Sequence, residues 1–137
     1  MRDGKLVSLV TLTALLSVGH TVDHALRGDL HWPLSLESVP FLMFSLVTYL
    51  VVGGGLYLYV KGRIGPRFWA IVGGIGLVIG WLGHFSPLTD QPPRHILDAY
   101  ATAAAGWLAL GWLIVLMLTL IAATFYATYL SGRASAE

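Results

Sequence analysis

The chain alternates between long apolar stretches and short polar connections. Within the stretches the apolar residues run almost continuously. Leu6 to Val22 is broken only by Ser8, Thr11, Thr13, Ser17, His20, Thr21 and the small Gly19. A second stretch runs from Val39 to Val60, a third from Phe68 to Phe85 and a fourth from Ile96 to Leu130. At a rise of about 1.5 Å per residue, some 20 apolar residues cross a hydrocarbon core of about 30 Å. The pattern therefore predicts four spans, over residues 5–27, 39–60, 67–86 and 96–130. A single segment in lipid must satisfy its own backbone groups, which selects helices. The expected fold is all-α: a polytopic membrane protein, an antiparallel four-transmembrane-helix bundle, in one integral domain over residues 1–137.

The connections carry stop and start signals. Gly28-Asp29, His31 and Trp32-Pro33 resist a continued helix, and Trp32 suits a membrane–water interface. Ser38 is placed to cap the second helix, with Pro40 in its first turn. Tyr57 and Tyr59, and later Tyr126 and Tyr129, mark an interfacial belt. Lys61 to Arg67 is a basic turn. Pro87 ends the third helix, and Asp90-Gln91-Pro92-Pro93 can cap and start the next. Residues 96–130 would reach about 52 Å as one helix, too long for one perpendicular span. The Ala-rich opening, Asp98 to Gly106, is expected to protrude or to belong to a tilted or kinked helix. A signal-peptide reading of the first stretch would need a small-x-small cleavage site. Val18-Gly19-His20 follows instead, so a retained helix is expected.

Composition strengthens the membrane reading. Charged residues are 11% of the chain and hydrophobic ones 56%, against about 25% charged in soluble domains. Mean hydropathy is +0.74. The absence of cysteine excludes disulfides, thiolate sites and iron–sulfur clusters. A net charge of +1 gives no argument for nucleic acid as a partner. Gly53-Gly54-Gly55 lacks the Lys-Ser/Thr of a phosphate loop. Arg2, Lys5, Lys61, Arg63, Arg67 and Arg133 fall at one end of the predicted bundle, and only Arg27 and Arg94 at the other. The positive-inside rule then places both termini in the cytoplasm, in a prokaryotic inner (plasma) membrane, with the lipid bilayer as the first partner.

The opposite end holds the chemistry. All five histidines, His20, His24, His31, His84 and His95, map there with Asp23, Asp29, Glu37, Asp90 and Asp98. His20 and His24 are i and i+4 on one helix face, continued inward by Ser17 and Thr13. His84 ends the third stretch, on a face smoothed by Gly76 and Gly80. Such a polar stripe should face protein or water. The expected site is His20, His24 and His84, with Asp98 as fourth ligand and Asp23 as its rival or as a partner behind a histidine. His and Asp without Cys suit zinc, iron, copper or manganese. A haem held by His20 (or His24) and His84, with the glycines making room for the ring, is a second form of this expectation. Equally, a Gly-x-x-x-Gly stripe serves helix packing, as do Gly53 to Gly55 and Ala101 to Gly106. Trp107 and Trp112 are expected as lipid-facing or core aromatics. His31 and His95 lie in or beside loops and are not assigned as ligands.

No catalytic residue is assigned. Ser86, His84 and Asp98 lack a nucleophile-elbow motif, and spans two and four lack the charged middles of a channel or transporter. The alternative class is a non-catalytic accessory or assembly subunit of a membrane complex, bound to other membrane-protein subunits, with a structural polar cluster.

Overall fold

The computed structural model describes residues 3–30, 34–89 and 91–134. The expected interfacial place of Trp32, the loop position of His31, the capping role of Asp90 and the charge of Arg2 lie outside the described residues. Helix α1 spans Gly4–His24 and continues into a wider π turn, Ala25–Asp29. A single 3-10 turn, Leu36–Ser38, leads into α2, Val39–Val60. Helix α3 spans Pro66–His84, the short α4 Pro93–Asp98, and α5 Ala103–Ala134. No strand occurs among the described residues. Four helices are long and apolar enough to cross a membrane, so the protein is all-α with four membrane spans.

Start signals act where the sequence places them, with one exception. Asp3 caps α1, its carboxylate accepting the Leu6 N–H at 2.9 Å. That bond holds the Asp3 carboxyl below its ordinary range. Pro40 and Pro66 stand in the first turns of α2 and α3, where a missing N–H costs nothing. Ser38 occupies the N-cap position of α2 but makes no side-chain capping bond.

Helix α5 is central and packs along both α1 and α3, while α2 lies to one side against α1. The glycine stripe of α3 explains the α3–α5 contact. A Cβ on Gly80 would stand 2.6 Å from the Met117 sulfur, and one on Gly76 3.2 Å from Leu120. Small residues let the two backbones approach, which is how membrane helices gain packing. In α2 only Gly55 serves this purpose, receiving Phe68 and Trp69; Gly53 and Gly54 face open space. Leu6, Val10, Tyr59, Trp69 and Ala127 form a core that joins all four spans at one end. Lys5, Lys61, Arg63, Arg67 and Arg133 gather at that end by the same connectivity, so the spans run antiparallel and the charge asymmetry is a property of the fold.

Large apolar side chains point outward instead of inward: Leu15 is 63% exposed, Leu108 72% and Phe125 71%. In water such a surface would be an aggregation hazard; in lipid it is the expected exterior. The tyrosines divide. Tyr57 and Tyr129 are exposed, as an interfacial belt requires. Tyr59 is buried and its hydroxyl accepts the Asp3 N–H, while the Tyr126 hydroxyl donates to the Asp3 carboxylate. These two tie down the start of α1.

The fourth apolar stretch differs from its expected bounds. The helix predicted over 96–130 is two helices, and the membrane-spanning one is Ala103–Ala134. Thr102 starts it, its hydroxyl accepting the Ala105 N–H at 3.3 Å. Helix α4 folds back on α5 and fully buries Ile96 against Leu110 and Leu113. The fold-back needs Gly106, where a Cβ would stand 2.7 Å from the Leu97 carbonyl oxygen. With 32 residues, α5 is about 48 Å long, so its ends reach into the interfacial layers.

Candidate metal centre

The polar end is assembled from the last turns of α1 and α3, closed over by the α3–α4 loop and the α4–α5 link. His20 and His24 project from one face of α1, as residues four apart must. His84 is the last residue of α3 and is buried. The His20 Nε2 lies 3.1 Å from the His84 Nε2 and 3.1 Å from the His24 Nε2. The ligand atoms of the three residues all lie within 4.8 Å of one another. These three histidines form a group that can hold a metal ion.

Behind them stand two carboxylates. The π turn after α1 carries Asp29 back towards His24, and its Oδ2 lies 2.5 Å from the His24 Nδ1, where it accepts the ring N–H. On a regular helix a residue five positions on lies well round the cylinder; the wider turn and the positive φ of Gly28, 106°, change that path. Asp23 faces the His20 Nδ1 at 3.7 Å. Its Oδ2 accepts the Arg27 Nε–H at 3.0 Å and stands in an ion pair 2.9 Å from Nη2, and its Oδ1 accepts the Tyr100 hydroxyl at 2.5 Å. Burial, and then this bond to Asp23, push the Tyr100 phenol up to about 12, so it stays a donor. Gln91 completes the network. Its amide donates to Asp29 at 3.2 Å, and its Oε1 accepts the Arg27 Nη1 at 3.2 Å. His84 faces the Gln91 backbone, although its Nδ1 makes no well-formed hydrogen bond.

This geometry sorts the expected ligands. His20, His24 and His84 come together. Asp23 is next to them, but its oxygens are engaged by Arg27 and Tyr100, which leaves it the place behind His20. Asp98 does not join them: its side chain is 70% exposed on α4 and pairs with Arg94 at 3.5 Å. The fold-back of α4 turns that carboxylate outward. His95 is exposed on the same helix, as its loop-side position implied.

The side chains leave no room for a haem between His20 and His84. Met117 and Leu120 fill the glycine stripe. The His20 and His84 rings meet edge to face at 72°, with their Nε2 atoms in contact, so no slot for a flat macrocycle lies between them.

Arg27, Asp29, Gln91 and Tyr100 belong to the site and were not assigned to it from the sequence. Arg27 had a readable signal, an arginine four residues after an aspartate at a helix end. Gln91 and Tyr100 arrive through contacts distant in sequence and had none. Trp112, neither purely lipid-facing nor buried, donates its indole N–H to the Leu16 carbonyl at 2.7 Å and fixes α5 against α1 one turn before His20. No protein-family model matches the chain, nor does any curated protein or solved structure.

Proposed function

We propose that this integral membrane protein binds one transition-metal ion through His20, His24 and His84, in a tetrahedral site of the zinc type. One observation carries the reading: three imidazoles from two helices converge where their mutual contacts cannot all be hydrogen bonds. His24 donates its Nδ1 proton to Asp29, which leaves its Nε2 as a bare lone pair. The His20 Nε2 touches that lone pair and the His84 Nε2 as well. Whichever neutral tautomers His20 and His84 adopt, at most one of the two contacts is an ordinary two-centre hydrogen bond. A cation at the centre satisfies all three nitrogens. Nitrogens bound at about 2.0–2.1 Å in a tetrahedron sit about 3.3 Å apart, close to the 3.1 Å that separates the His20 Nε2 from each of the other two, with all the ligand atoms within 4.8 Å of one another. Three imidazoles without thiolate favour zinc or copper over calcium or magnesium.

Metal analysis of the detergent-purified protein, after brief loading and desalting, should give one ion per chain. Protein that holds none would leave the alternative in place, an accessory subunit whose polar cluster only ties helix ends together. Asp29→Asn should keep the fold and weaken metal binding by about 10–100-fold, the usual effect of losing the carboxylate behind a ligating histidine. Competition with a colour-changing chelator measures this, and an unchanged affinity would remove Asp29 from its role.

The orientation belongs to the same proposal. The basic end faces the cytoplasm, and the metal centre faces the opposite compartment. Reporter fusions after Leu30 and after Glu137 should localise to opposite sides. A cytoplasmic signal from residue 30 would reverse the assignment.

A further inference from the structure

We infer that the metal at His20, His24 and His84 keeps one coordination position for an exogenous small monoanion, hydroxide or a halide-like or pseudohalide ion. The inference rests on the metal reading above and deepens it. Structural zinc sites close with four protein ligands, whereas sites that bind exogenous groups keep three. Among the described residues only three ligating side chains converge here. The nearest carboxylates are taken: Asp23 by Arg27 and Tyr100, and Asp29 by His24 and Gln91. Neither can turn to the metal without abandoning a buried cation or releasing the histidine it orients.

Access and charge support an outside ligand. The side chains of His20 and His24 are 14% and 18% exposed, so the cluster touches the surface at the polar end of the bundle. Phe41 of α2 stands 6.1 Å from the His24 ring and forms an apolar wall on that side. Two carboxylates and one guanidinium, Asp23, Asp29 and Arg27, leave the surrounding shell with one net negative charge. A divalent metal on three neutral imidazoles turns that into one net positive charge. A single monoanion neutralises it, while a dianion or a second cation would leave charge uncompensated at the edge of the bilayer, where such charge is costly.

Cobalt(II) reports the geometry of a zinc-type site by its visible absorption. The full-length protein in detergent is loaded with cobalt and titrated with azide. Azide should shift the cobalt bands and saturate at one azide per cobalt, and washing it out should restore the starting spectrum. A cobalt spectrum indifferent to azide means that a side chain of this chain already fills the fourth position. That result overturns the open site and leaves the metal-binding reading intact. Failure to bind cobalt, zinc or copper overturns both.

Discussion

His84→Ala protein should emerge from metal loading and desalting with essentially no bound ion, against one per chain for the unmutated protein. His84 is the sole histidine on α3 and the only ligand in the group that does not come from α1. Without it the ion is left with an i, i+4 pair on one helix and no partner across the bundle. Losing a carboxylate behind a ligand costs about 10–100-fold in affinity; losing a ligand from a set of three costs more. His95→Ala is the matched control, because His95 is exposed on α4 and should leave the metal content unchanged, as should His31→Ala. His84→Gln tests the same point with less disturbance to packing, since a glutamine fills most of the space of the buried ring. Equal metal content in His84→Gln, His84→Ala and unmutated protein would rule the site out. Absorbance should show no haem bands in any of them, because the His20 and His84 nitrogens are in direct contact.

The spans were legible because the bilayer reads hydrophobic length and little else. Runs such as Val39 to Val60 need no periodicity to be recognised, and the structure places α2 over those residues. The matching depth of His20 and His84 was also legible, since each ends an apolar run that begins at the opposite, basic end. Residue order could not show how the polar end closes. Helix α4 folds back at a link without proline, and only the approach of Leu97 to Gly106 reveals why. The reversal moves Asp98 outward and brings Tyr100 onto Asp23, exchanging the expected fourth ligand for a residue with no local signal. Asp29 was visible as an acid in a loop, but its bond to His24 depends on a π turn, which no helix-propensity rule anticipates. Tyr59 misled in the other direction: a tyrosine at a span end suits the interface, yet this one is buried against Asp3 and Trp69.

Asp23→Ala should destabilise the metal-free protein by about 3–5 kcal/mol, the usual cost of removing one partner from a buried ion pair. The Arg27 side chain is 2% exposed and that of Asp23 9%, at the membrane edge, where an uncompensated guanidinium has little water to turn to. Gln91 would remain as a neutral acceptor for one Arg27 nitrogen and cannot replace the carboxylate. The Tyr100 hydroxyl would lose its acceptor as well. Tyr100→Phe removes one hydrogen bond to a charged group and should cost less, about 1.5–3 kcal/mol. Asp23→Asn keeps an oxygen towards Arg27 and should fall below Asp23→Ala. Unfolding in mixed micelles, followed by circular dichroism with chelator present, separates these effects from any loss of metal. The order of the three variants is the test. Arg27 depends on the negative charge of Asp23, so the alanine variant must be the least stable. An Asp23→Ala protein as stable as the unmutated one would mean that water reaches Arg27 freely and that the polar end is a wet surface. The same variant should also weaken metal binding, because the shell around the histidines would lose one negative charge.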